Sequence, residues 1–226
     1  MVFELEVRLI RWLNSLAGVN PALDEIVMRT HDLFSVKLLP LTVLVWYLWF
    51  KDEKYRRADL SGLAGGFLAL AVSRIMQNCL PSRPRPSLSG HFDFHLPTGA
   101  VELDWSSFPS DHAAITFALA AGIFGASRSL GWFAFGWATI VACLPRLYGG
   151  YHYPTDLIAG AVIGVLCVKL AAARTSLGER LFAATLRCEE RRPGVFYAIA
   201  FILTYQITSL FHDARKIGGG LAKLLF

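Results

Sequence analysis

Residues 145–172 read PRLYGGYHYPTDLIAGAVIGVLCVKLAA. The apolar run 155–173 is close to the ~20 residues that a helix needs to cross a bilayer. Pro154 opens it at the first-turn position, where a missing N–H leaves no hydrogen bond unmade. Ala159, Gly160, Ala161 and Gly164 along it let a second helix approach closely within a membrane. Before it, the pair Gly149-Gly150 turns the chain back from another apolar run, 130–148. This stretch is therefore one membrane helix turning into the next, with a polar, histidine-bearing turn between them.

Working outward, further apolar runs of similar length fall at 34–50, 59–80, 109–127 and 194–211, with Pro109 opening the third run as Pro154 opens the fifth. Gly62, Gly65 and Gly66 repeat the small-residue pattern in the second. The expected fold is all-α and integral to the membrane: a six-transmembrane-helix bundle forming a single domain over 1–226. Its motif-bearing core lies at about 59–173, an interfacial region at 1–33 and the sixth span at 194–211. Composition agrees: 54% of residues are hydrophobic and 17% charged, against about 25% charged in soluble domains, and mean hydropathy is +0.46. A soluble domain and a secreted disulfide scaffold are both excluded. Cys79, Cys143, Cys167 and Cys188 form no CxxC pair, and three lie in or beside apolar runs where small buried thiols are common.

Residues 2–17 set Glu4, Arg8, Arg11 and Ser15 on one helical face, with Phe3, Leu5, Leu9, Trp12, Leu13 and Leu16 on the others. This pattern fits an N-terminal interfacial amphipathic helix, or equally a cap packed on the bundle. No basic region followed by an apolar core precedes it, so a cleavable signal peptide is not expected. The net charge of +5 does not call for nucleic acid, because the basic residues sit between apolar segments and in short arginine-rich signatures.

Six crossings place both chain ends, the segment 81–108 and the turn 146–154 on one side. Ten lysines and arginines fall on the opposite side, and ten on the motif side, of which three belong to the signatures described next. The remaining bias points the motif face out of the cytoplasm of a multi-pass inner-membrane protein.

Three signatures share that face. The first runs from Asn78 through Pro81-Ser82-Arg83-Pro84-Arg85-Pro86. Its prolines hold the chain extended, so that two guanidiniums, which suit phosphate, project from a stiff segment. A polyproline linker with snorkelling basic residues is the plainer alternative. The second, Phe108-Pro109-Ser110-Asp111-His112, opens a span. A helix N-terminus attracts anions, and a histidine entering a membrane needs a use or a partner, although a simple helix cap is also open. The third is Arg146 through His152 and Asp156. Asp156 can reach back to a ring nitrogen of His152 and fix its tautomer, or the two can staple neighbouring helices.

Together these segments resemble the three signatures of the type-2 phosphatidic acid phosphatase superfamily, KxxxxxxRP, PSGH and SRxxxxxHxxxD. The resemblance covers about residues 59–173, and the third spacing is complete at Arg146, His152 and Asp156. It implies a metal-independent lipid phosphatase needing no cofactor. In it His152 attacks phosphorus, Asp156 orients the imidazole, and His112 protonates the leaving oxygen and then activates water. Arg85, Arg146, Ser110, Asn78, Asp111 and Arg83 make up the phosphate-binding set. Three positions depart from the pattern: Asn78 replaces lysine, Asp111 replaces glycine and Pro145 replaces serine. SFPSDH resembles the version in bacterial undecaprenyl-diphosphate phosphatases of the superfamily. A charged hydrogen bond to phosphate contributes about 1.5 to 3 kcal/mol and an amide about half of that, so Asn78 implies weaker phosphate affinity or an altered head-group preference without loss of catalysis, with Arg83 or another cation able to compensate.

The implied partners are the bilayer and a membrane lipid substrate, polyprenyl diphosphate ahead of phosphatidic acid, phosphatidylglycerophosphate or a lipid A phosphate. A lipid-phosphate binding or transport protein that lost turnover is the rival from another class. A vanadate-dependent haloperoxidase site fits a membrane chain poorly. The loop His91-Phe92-Asp93-Phe94-His95 reads as a lid or head-group contact, with Asp104 and Trp105 near its end, in preference to a metal site. His31 and His212 are isolated and receive no role, and oligomeric state is not legible.

Overall fold

The computed structural model describes residues 2–90, 93–97, 100, 106–173 and 175–210, and all regular structure among them is helical. Among the described residues three helices are long and apolar enough to cross a membrane. They are α5 (Glu53–Cys79), the segment Arg128–Tyr148, and α9 (Pro154–Ala172). Three shorter apolar helices accompany them: α4 (Leu39–Lys51), α6 (Asp111–Ala126) and α11 (Pro193–Thr208). Each of the six expected runs thus has its helix. The run 34–50 is broken, however, into a single turn, α3 (Phe34–Lys37), and α4, because Pro40 fits only the first turn of a helix.

At the centre α5, α6 and α9 pack most extensively on one another. Small residues make this possible: a Cβ added at Gly164 of α9 would lie 2.2 Å from the Ala114 carbonyl oxygen of α6, so only glycine permits the approach. On the other side of α6, Ile115, Leu119 and Ile123 bury against Leu38 and against Leu41, Val45 and Leu48 of α4. The outer faces remain apolar, with Ile158, Val162, Leu166 and Leu170 of α9 and Phe201 and Ile202 of α11 all exposed. Exposed apolar rows of this length belong against lipid.

The segment Arg128–Tyr148 is not a uniform helix. α7 (Arg128–Trp137) passes into a π-helical stretch, Ala138–Cys143, and then into α8 (Leu144–Tyr148), whose Pro145 has no N–H to give to the preceding turn. The Arg146 guanidinium donates to the Ala142 carbonyl at 2.8 Å, supplying a donor where the ladder is disturbed.

The N-terminal region holds two helices, α1 (Val2–Asn14) and α2 (Pro21–Asp32), where the sequence suggested one. The side chain of Asn20 caps α2 by accepting the Ala22 N–H at 3.0 Å. In α1 the buried face includes the polar Glu6 and Asn14, while Leu5 and Trp12 are about 60% exposed. Ile10 and Leu13 are buried on the same face, and the exposed face carries Arg8 and Arg11 together with Leu5, Leu9 and Trp12. At the other end, α10 (Ser176–Arg191) occupies what read as a basic loop; it is amphipathic, wholly unburied and tied to α5 by Arg56–Glu189 at 2.9 Å. Its apolar content is too low to stand out as a run.

Candidate active site

The three signature segments meet at one end of the α5, α6 and α9 unit. After α5 the extended proline-rich segment runs past the α6 N-terminus, where the Ser107 N–H donates to the Arg83 carbonyl at 3.0 Å. The glycine turn folds back so that the Tyr151 N–H donates to the Arg146 carbonyl at 2.9 Å. Gly150 has φ +68°, and a Cβ there would lie 2.4 Å from the Phe94 ring, so both backbone and space require glycine. The backbone then joins α6 to α9, with the Ser110 N–H donating to the Asp156 carbonyl at 3.1 Å.

His152 is buried in this junction. Its Nδ1 lies 2.8 Å from the Ser107 carbonyl, which can only accept, so Nδ1 carries the proton and Nε2 keeps its lone pair. Nε2 faces the Ser110 hydroxyl, 3.4 Å away at the N-cap of α6. Asp156 is further from the ring than the sequence suggested, with Oδ2 3.7 Å from Nδ1. That oxygen accepts the Tyr153 N–H at 2.7 Å, and Oδ1 accepts from Arg83. The tautomer is thus held mainly by a backbone carbonyl, with Asp156 supplying charge beside it. Burial lowers the His152 pKa below its ordinary value against the raising effect of Asp156, and the charges of Arg85 and Arg146 lower it further. A neutral imidazole is the form able to act as a nucleophile.

Arg85 and Arg146 are both buried. One nitrogen of Arg85 donates to the Tyr151 carbonyl at 2.6 Å, which fixes its guanidinium beside the histidine turn. His112 sits one residue into α6, its side chain 19% exposed, with Nδ1 2.8 Å from Asp111 Oδ1. Of the residues assigned to phosphate, Arg83 faces elsewhere: it is paired with Glu6 at 3.0 Å and with Asp156, and it stacks over the Tyr153 ring at 4.1 Å. Asn78 is exposed at the last turn of α5.

Several neighbours escape sequence reasoning. Glu6 of α1 is buried and accepts the Thr155 N–H at 3.0 Å, capping α9 from across the chain. Asp24 of α2 accepts the Tyr148 hydroxyl. His31 is not isolated: its ring stacks on Tyr151 with centroids 4.2 Å apart, and burial together with the charges of Arg146 and Lys37 holds its pKa far below the usual range. Lys37 is buried nearby and donates to the His31 carbonyl. Arg74 of α5 pairs with Asp111. Arg74 and Lys37 had a usable signal, each as a cation inside an apolar run.

Asn14 holds the backbone of His95 through hydrogen bonds of 2.6 and 2.8 Å. His91 and Phe92, and also Asp104, Trp105 and His212, lie outside the described residues. Among the described residues no cluster of three His, Cys, Asp or Glu side chains is arranged to hold a metal.

A family model described as the PAP2 superfamily matches residues 60–176. The chain is 28% identical to the bacitracin transport permease protein BcrC of Bacillus licheniformis, over 72% of this chain and 77% of that protein. It is 23% identical to the undecaprenyl-diphosphatase BcrC of Bacillus subtilis (strain 168), over 68% and 76%. In fold it is similar to Aquifex aeolicus LpxE, with TM-score 0.58 and 24% identity over 74% of this chain and 93% of that one. A similar likeness holds for the first transmembrane PAP2 type phosphatidylglycerolphosphate phosphatase from Bacillus subtilis, with TM-score 0.50 and 22% identity over 75% and 83%.

Proposed function

The chain belongs to the PAP2 superfamily, and on that premise we propose that it is a membrane lipid phosphatase that removes phosphate from a polyprenyl diphosphate through a phosphohistidine at His152. The observation that carries this reading is the Nε2 of His152, buried and fixed in tautomer, opening onto the N-cap of α6 beside the charges of Arg85 and Arg146. Fixed cations and helix N–H groups stabilise the charge that builds on the equatorial oxygens of a phosphoryl group in transfer.

The Nε2 lone pair attacks phosphorus as the bond to the leaving oxygen breaks, and His112 gives its Nε2 proton to that oxygen. Asp156 balances the positive charge left on the His152 ring. Water then attacks the phosphohistidine, His112 takes a proton from it, and the P–N electron pair returns to His152 as phosphate leaves. Arg85, Arg146 and Ser110 hold the phosphate. Arg83, engaged by two carboxylates, braces Asp156.

The lipid substrate follows from the apolar outer faces of the helices and from the site's place at one end of them. All six apolar helices cross the inner membrane, α1 lies in its interface with Leu5 and Trp12 in lipid, and the site faces away from the cytoplasm. Polyprenyl diphosphate is preferred over other lipid phosphates because Asp111 and a relative named an undecaprenyl-diphosphatase point the same way. A relative named a transport permease favours a second reading, lipid-phosphate binding or transport without turnover.

Phosphate release by detergent-purified protein in EDTA separates the two. The expected result is release from undecaprenyl diphosphate faster than from phosphatidic acid or phosphatidylglycerophosphate, abolished in His152→Ala. Lipid binding retained with no release by the wild-type chain or by Asn78→Lys would establish the second reading.

A further inference from the structure

Asp111 stands where the superfamily pattern has glycine, and its carboxylate is shared between two partners. Oδ1 lies 2.8 Å from His112 Nδ1 and also accepts the His112 backbone N–H at 2.8 Å. Oδ2 lies 2.5 Å from Arg74 Nη2 on α5. Arg74 is itself held, since Nη1 donates to Gln77 Oε1 at 3.1 Å and Gln77 Nε2 donates to the Pro109 carbonyl at 2.7 Å. The arrangement bridges α5 to the first turn of α6.

A general acid must keep its proton until the leaving oxygen takes it. Arg146 of α8 and Lys37 of α3 bring positive charge to His112, and His31 of α2 lies near. A carboxylate accepting from one ring nitrogen offsets that charge and leaves the other nitrogen as the donor. Left alone at a phosphate site, the same carboxylate would repel the substrate, and its pairing with Arg74 removes this penalty.

We infer that Arg74 and Asp111 are positioning residues for the acid: Arg74 orients Asp111, and Asp111 holds the Nδ1–H of His112 so that Nε2–H is aimed at the leaving oxygen. This rests on His112 being the acid, as proposed above. It makes the pair matter most where the leaving group is a poor one. An alkoxide needs the proton, whereas a nitrophenolate departs nearly without it.

The test compares kcat/KM for dihexanoyl phosphatidic acid and for 4-nitrophenyl phosphate, in detergent with EDTA. This parameter covers steps only through leaving-group departure. Asp111→Asn and Arg74→Ala should each lose about tenfold or more on the lipid but no more than about threefold on the aryl ester, with Arg74→Lys recovering most of the loss. Equal losses on both substrates, or none, would overturn the inference. Inactivity of the wild-type chain on both leaves the inference to be decided by 15N-histidine NMR, with His112 identified by the signal lost in His112→Gln, and inactivity on undecaprenyl diphosphate as well would overturn the function. The expected spectrum has His112 protonated at Nδ1 in the wild-type chain and moved toward the Nε2–H tautomer in Asp111→Asn. An unchanged tautomer sinks it.

Discussion

The Nδ1 of His152 lies 2.8 Å from the carbonyl oxygen of Ser107 and 3.7 Å from Asp156. A main-chain atom therefore sets the tautomer of the proposed nucleophile, and the carboxylate acts mainly through charge. Asp156→Asn keeps the first effect and removes the second. It should lower kcat by about tenfold to a hundredfold, while His152→Ala abolishes turnover. Steady-state phosphate release from the two variants side by side measures the gap, and equal loss in both would return the tautomer role to Asp156.

The pH dependence follows from the environment of His152. Burial, with Arg85 and Arg146, lowers its pKa below the ordinary 6.5. As the proposed nucleophile, His152 stays neutral to lower pH than a free imidazole, so kcat/KM should fall on the acid side only below that value. Arg85→Gln removes one of the lowering charges, so the acid limb should move to higher pH. A kcat/KM profile of both proteins reads the shift, and a limb that stays in place would separate Arg85 from the histidine.

Glu6 is the link between α1 and the site. It accepts from the Thr155 N–H and hydroxyl and pairs with Arg83, which in turn holds Asp156. Glu6→Ala leaves a partly buried guanidinium and a helix N-terminal N–H without this partner, a loss of about 1–3 kcal/mol. Hydrogen exchange over residues 2–14 should quicken and kcat should fall about fivefold or more. Activity unchanged despite a loosened α1 would make the helix an accessory to the site.

Helix packing provides a check independent of chemistry. A Cβ at Gly164 would lie 2.2 Å from the Ala114 carbonyl, and backbone cannot yield as a side-chain tip can. Gly164→Val should destabilise the bundle by about 2–3 kcal/mol or more through overpacking, read as a lower Tm in detergent. Gly136→Ala, where an added Cβ meets nothing within 4 Å, should change Tm little.

Much of this protein is legible from residue order. Helices form where the apolar runs occur, and Pro154 opens α9 at its first position, because run length and a missing N–H act locally. Pro109, expected in the same position, lies one residue before Ser110, whose hydroxyl caps α6 and starts the helix at Asp111. The spacing Arg146, His152, Asp156 likewise carries its meaning along one segment. α10 was missed because a half-apolar helix produces no run, and the break at Pro40 because one turn of helix hardly alters composition.

Tertiary structure decided which groups meet. The Ser107 carbonyl that orients His152 is a main-chain atom, which every residue possesses and no motif records. Glu6 reaches Thr155 across 149 positions, and Arg74 reaches Asp111 across 37. His31 looks isolated in the chain and lies against Tyr151 in the fold. Residue order alone determined the membrane helices and the three signatures, since these depend on neighbours along the chain. The orientation of His152 and His112 depends on contacts that exist only once α1, α5, α6 and α9 have closed on one another, and chain closure brings together residues whose separation in sequence leaves no trace of the contact.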